Sequence, residues 1–175
     1  KFFKKAPETE KIVKSLQNNN DIYLVPAFTG LGAPYWDANA RGVLSGITRD
    51  TSPKEIVRAT IEAVAYQTHD LFEAMKHDGL RPKIVKVDGG MVMNNWFSQF
   101  LSDIVNVQVL RPNVQETTAL GAAFMAGLHL GIYKSLKDIS KNWNLDKKFS
   151  PKMKNKSRTI LINGWEKAVK RALIN

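Results

Sequence analysis

The chain has 175 residues, 43% of them hydrophobic and 24% charged, which is enough for one real core in an ordinary soluble globular sequence. No apolar run approaches bilayer length, no signal-peptide pattern opens the chain, and zero cysteines exclude disulfides and thiolate metal sites, which fits a reducing compartment such as the cytoplasm. The formal charge of +10 is an end effect: residues 134–175 hold twelve Lys/Arg against three acids and residues 1–17 five against two, whereas 18–133 hold nine against eleven, so a solvated lysine-rich surface is expected rather than a nucleic-acid partner.

Residues 1–20 predict a charged helical stretch that breaks at Asn18-Asn19-Asn20. "DIYLVPAF" predicts a buried strand whose ladder ends at Pro26, and "TGLGAPYWDANARG" a long structured loop. "GVLSGIT" predicts a short strand. Ser52-Pro53-Lys54-Glu55 then has the form of a capping box with proline at the first helical position. Val57, Ile61, Val64, Thr68, Leu71 and Met75 follow at helical spacing and predict one core-facing stripe. "KIVKVDGG" predicts a second buried strand, "NNWFSQFLSDIV" an amphipathic helix, "VQVLRP" a strand and "TTALGAAFMAGLHLGIY" a helix of small residues. Lys147 to Arg158 reads as an exposed connection before a last helix carrying Trp165, Val169 and Leu173. Strands alternating with helices predict an α/β domain with a partly parallel sheet. The sequence opens on Lys1 rather than methionine, so the piece is expected to begin inside a longer reading frame.

Two nucleotide motifs are excluded. No G-x-x-x-x-G-K-S/T occurs, and Gly30-Leu31-Gly32 has Tyr35 where the dinucleotide fingerprint needs its third glycine. Val87-Asp88-Gly89-Gly90 is different, because it stands where a strand meets a helix, the edge at which open α/β sheets bind ligands. Gly89 and Gly90 remove two side chains, so main-chain amides can approach a ribose or phosphate, and the following helix is expected to point its positive end the same way. Asn94 offers an amide suited to an adenine edge or a ribose hydroxyl. The same residues would also serve a plain strand-to-helix turn, with Asp88 and Asn94 as local caps. Asp37, Asp88 and Asp103 read as turn and cap residues rather than bases. Gly121, Ala122, Ala123 and Gly127 read as a close-packing series, and Tyr35 and Trp36 as core plugs or subunit contacts, the structural role being favoured. His69, His77 and His129 lack ligand spacing, so no metal is expected.

Longer matches discriminate between these readings. Gly42-x-Leu44-x-Gly46-Ile47, seven residues, and then Glu55-Ile56-x-x-Ala59-Thr60-Ile61-Glu62 resemble the second signature pattern of the FGGY carbohydrate kinases. "VPAFTGLGAPYWDANARG", "VDGGMVMNNWFSQFLSDI" and "RPNVQETTALGAAFMAGL" resemble the glycerol-phosphorylating members in particular; other sugar kinases of the family carry a different loop in place of "TGLGAPYW". The resemblance implies an α/β, actin-like ATPase (ribonuclease H-like) domain, a mixed sheet with helices on both faces. It implies that residues 1–175 are most of the C-terminal, second domain of such a kinase, with the N-terminal catalytic domain outside this sequence. By that resemblance Gly90 is a backbone contact near the adenosine and phosphates of ATP or ADP, Asn94 contacts the adenine side, and Gly89 lies beside them. The catalytic aspartate, the glycerol-binding residues and any Mg²⁺ ligands fall elsewhere, so no catalytic and no metal residue is expected here. The implied partners are the missing N-terminal kinase domain, glycerol and further copies of the intact enzyme, and the piece alone is expected to be inactive. A kinase for another polyol or sugar, or a free-standing nucleotide-binding module, are the alternatives.

Overall fold

The computed structural model describes residues 8–114 and 116–173, so the first seven residues of the charged N-terminal stretch lie outside the described residues. Among them the order is α1 (Glu8–Lys14), β1 (Tyr23–Val25), β2 (Val43–Ser45), α2 (Pro53–His77), β3 (Ile84–Lys86), α3 (Asn95–Val105), β4 (Gln108–Pro112), α4 (Thr117–His129), α5 (Leu136–Ser140), β5 (Leu145–Phe149) and α6 (Asn155–Leu173). The described strands form two sheets. β1 and β2 are an antiparallel pair, Leu24 opposite Leu44; β4 lies between β3, which is parallel to it, and β5, which is antiparallel. Helix α3 is the crossover that the parallel β3–β4 pair requires.

Helix α2 organises the core. The capping box is complete: the Lys54 amide donates to Ser52 Oγ at 3.2 Å, and Glu55 Oε2 accepts from the Ser52 amide at 3.1 Å. Ser52→Ala is expected to cost about 1 kcal/mol, read by urea denaturation, because the Lys54 amide loses its acceptor and Glu55 loses the hydroxyl that donates to it. Beyond the cap, Tyr66 sits among rings from three elements: Tyr23 of β1 at 5.8 Å, Phe100 of α3 at 5.7 Å edge-on, and Trp165 of α6 stacked at 5.3 Å. Asp70 joins the layers, accepting from Trp165 Nε1 at 2.8 Å and from the Tyr35 hydroxyl at 2.9 Å. Burial, and then the Asp70 carboxylate, push the Tyr35 phenol up.

Several expectations give way. The α2 stripe is core-facing only at Val57 and Ile61; Val64, Leu71 and Met75 are exposed, and the buried line instead runs through Arg58, Glu62, Ala65, Tyr66, Asp70 and Phe72. Polar residues hold the inside positions because they bond to one another there. β3 is not a buried strand, since Ile84 and Lys86 are exposed and only Val85 turns inward. Lys147–Arg158 is not a simple connection: it begins within β5 and ends within α6. Trp36 is 78% exposed rather than a plug, while Tyr35 is tied down through Asp70. Only Gly127 of the small-residue series packs closely, where a Cβ would meet the Tyr133 ring at 2.8 Å; Ala122 and Ala123 are exposed and Gly121 faces open space.

Gly46 of the signature has a conformational reason. Its φ is +89°, and an added Cβ would collide with the carbonyl of Asp21, which leads into β1. Arg41 donates to the carbonyls of Ala38 and Ala40 and so closes the long loop. Asp37 caps that loop through the amides of Asn39 and Ala40, and Asp103 accepts from the amides of Lys152 and Met153 before α6.

Candidate functional site

The Asp-Gly-Gly turn lies at the carboxyl end of β3, the edge of a parallel pair at which α/β sheets collect ligands. Its two glycines have separate reasons. Gly89 has a φ of +84°, a conformation that side chains rarely adopt. Gly90 lies outside that region, yet a Cβ built on it would meet nothing within 4 Å. The fold therefore does not need glycine at 90, and the room in front of its backbone is open.

The expected strand-to-helix join is more elaborate than the sequence suggested. A 3₁₀ turn, Gly90–Met93, separates the glycines from α3, and Asn94 is the N-cap of that helix. Asn94 Oδ1 accepts from the Phe97 amide at 3.0 Å. The Asn95 amide points to Glu10 Oε2 at 3.4 Å, so the positive end of α3 already has protein acceptors and is not turned to the space over the glycines. Burial acts to raise the Glu10 carboxyl, but the Lys14 ammonium at 2.6 Å and the Asn95 contacts outweigh it and hold the group below the ordinary carboxylate range. Asn94 is thus committed through its oxygen. Its Nδ2 has a long contact, 3.4 Å, to Thr9 Oγ1.

Residues that the sequence reading did not single out hold this turn. Arg111 of β4 is 5% exposed; its Nη1 donates to the Val92 carbonyl at 2.8 Å and toward that of Met93 at 3.4 Å, while its Nε donates to Asp146 Oδ2 of β5 at 2.6 Å. Val92 O accepts a second bond, from the Ser98 hydroxyl at 2.8 Å. The available signal was an arginine following the apolar Val109 and Leu110 in a strand, because a buried guanidinium needs acceptors within reach.

Asp88 is exposed beside the turn. Among the described residues no group of His, Asp and Glu could hold a metal ion, and no helix is long and apolar enough to cross a membrane. A main-chain floor with open space above it, flanked by an amide donor, can accept a flat polar ligand.

The profile of the C-terminal domain of the FGGY family of carbohydrate kinases matches residues 3–130. Glycerol kinase 1 of Pseudomonas aeruginosa is 53% identical over 171 residues, covering 98% of this chain and 35% of that protein. The crystal structure of Plasmodium falciparum glycerol kinase with ADP superposes with a TM-score of 0.86 at 36% identity, over 99% of this chain and 35% of that one. Ligand-bound xylulose kinase from Lactobacillus acidophilus shares the fold, with a TM-score of 0.76 at 24% identity and 97% of this chain covered. The chain spans about a third of the length of these relatives. With the family profile matched over most of its residues and an actin-like α/β fold shared with the family's solved members, the chain belongs to the FGGY family of carbohydrate kinases, in the region of their C-terminal domain.

Proposed function

We propose that this chain is the greater part of the second domain of an ATP:glycerol phosphotransferase and that it supplies the wall against which the adenosine of ATP or ADP rests. The observation that carries the reading is the open space over Gly90, where the fold itself would tolerate a side chain and the sequence has none. The relative solved with ADP lends the nucleotide, and the higher identity to glycerol kinases than to the xylulose kinase favours glycerol over another polyol. In this reading Gly90 and, beside it, Gly89 are the floor, and Asn94 Nδ2 is the donor at the edge.

The chain holds only part of what phosphoryl transfer requires. That reaction depends on positioning and on electrostatic stabilisation of the phosphoryl group, and among the described residues no cluster of His, Asp and Glu fits a metal ion. The surface also has the form of an incomplete domain. Among the described residues β3 bonds only to β4, so one edge is unpaired there; Ile84 is 51% exposed, and Met125 on α4 stands out with Leu130, Ile132 and Leu136 just after it. An unpaired strand edge and exposed apolar side chains are each the form an interface takes. We assign it to the remaining strands and the N-terminal domain of the intact kinase.

Calorimetric titration of the chain with ADP tests the site. Weak binding is expected, and Asn94→Ser is expected to raise the dissociation constant about 2- to 12-fold, the value of one net hydrogen bond of roughly 0.5–1.5 kcal/mol. Serine preserves the helix cap, so stability should change little. Unchanged affinity would remove Asn94 from the site. A coupled assay with ATP, Mg²⁺ and glycerol should show no turnover by the chain alone.

A further inference from the structure

Arg111 is a buried charge on a strand, a placement that costs free energy unless its donors are satisfied. The satisfaction is directed at one object. Nε is engaged by Asp146, the guanidinium lies over the Phe149 ring at 5.6 Å, and Nη1 is thereby aimed at the two carbonyls, Val92 and Met93, that end the 3₁₀ turn. The planar fork fixes these directions together, which a flexible ammonium could not do. Met93 is followed at once by Asn94, whose main-chain amide bonds back to Met91 O at 3.1 Å, so the clamped end of the turn runs directly into the N-cap of α3. Ser98 supplies the second donor to Val92 O and makes the position over-determined. Asp146 belongs to β5, so the antiparallel β4–β5 pairing, with Arg111 opposite Lys147, sets the brace.

We propose that Arg111 is a positioning residue for nucleotide binding: braced by Asp146, it holds the carboxyl end of the Gly90–Met93 turn and so sets where the Gly90 backbone and the Asn94 amide stand. This rests on the nucleotide-wall reading above. Nothing in it requires Arg111 to touch the ligand.

The test uses the full 175-residue chain with Arg111→Met, Arg111→Lys and Asp146→Asn, read by ADP calorimetry and by amide hydrogen exchange. Arg111→Met is expected to weaken ADP binding about 5- to 10-fold. It should speed exchange at the amides of residues 90–94 about tenfold while amides inside α2 keep their protection, since a lost local clamp opens a local unit. Arg111→Lys should fall between parent and Met, and Asp146→Asn should shift both readouts in the same direction by less. If Arg111→Met does not fold, Asp146→Asn carries the test. Unchanged ADP affinity and unchanged local exchange in folded variants would overturn the proposal. So would exchange that rises across the whole chain with Lys no better than Met, since that is the mark of general destabilisation. A parent chain that fails to bind ADP overturns the nucleotide reading itself and the purpose assigned to Arg111 with it; a parent that binds, with variants that bind equally, overturns Arg111 alone.

Discussion

Arg58→Met is expected to remove about 3–5 kcal/mol of stability at pH 7, the usual cost of leaving one member of a buried ion pair alone. Glu62 is 0% exposed. Its Oε1 is 2.6 Å from Arg58 Nε, and its Oε2 accepts from the Tyr66 hydroxyl at 3.0 Å. Arg58 also donates to the Leu16 carbonyl and lies over Trp96 at 5.1 Å, so methionine keeps some packing and none of the charge. Burial pushes the Glu62 carboxyl up from its ordinary value, and Arg58 is the first group that pulls it back. The sign of the pH effect follows. A carboxyl raised in the folded state binds its proton more tightly there than in the unfolded chain, so its contribution is full at low pH. That contribution is lost as pH rises from the unfolded value, about 4.3, through the raised folded one, by roughly 1.4 kcal/mol per unit. Removing Arg58 raises the folded value further and lengthens that window. The deficit of the variant relative to the parent should therefore be smaller at pH 5 than at pH 7 in urea titrations, and Glu62→Gln in the same background should recover much of it. A loss under about 1 kcal/mol at pH 7, or one independent of pH, would mean that water or backbone solvates Glu62 instead.

The same pair explains where the sequence could and could not be read. Hydrophobicity at helical spacing marks a core stripe only when apolar side chains fill the inside positions. In α2 those positions hold Arg58, Glu62, Tyr66 and Asp70, each bonded to another buried group, and Val64, Leu71 and Met75 are left outside. The capping box was legible because it is a local pattern that needs no tertiary partner. β5 was not, since an edge strand that faces solvent on both sides of "LDKKF" carries the lysines of a loop. β3 read as buried because "KIVKV" is apolar enough to be, yet the described residues leave one of its edges unpaired. At the site, the turn and its glycines were visible from residue types alone. Asn94 as a local cap was legible too, since its Oδ1 accepts from an amide only three residues on. The clamp by Arg111 and the contact of Asn94 with Thr9 depend on contacts across 18 to 85 positions that no short window contains.

Gly90→Val separates fold from function at that turn. Two carbons branching from Cβ would enter a space in which nothing of the protein lies within 4 Å of the first carbon, and the backbone at 90, unlike that at Gly89, is not in the left-handed region. The valine should therefore change stability by no more than about 0.5–1 kcal/mol, and the lost flexibility of the unfolded chain acts in its favour. A nucleotide resting on that main chain would meet the branched carbons directly. Overpacking of about 1–3 kcal/mol corresponds to a rise in the ADP dissociation constant of roughly 5- to 150-fold. Gly90→Ala should fall between, because one methyl intrudes less than three carbons. Paired measurements decide the matter: calorimetry with ADP for the ligand, urea denaturation for the fold. If valine weakens binding while the unfolding midpoint stays in place, the empty space over residue 90 belongs to the nucleotide. If ADP binds the valine variant as it binds the parent, the ligand sits elsewhere and the glycine floor has no part in holding it. If instead the stability falls by several kcal/mol, the space is closed by protein atoms in solution, and the glycine serves packing alone.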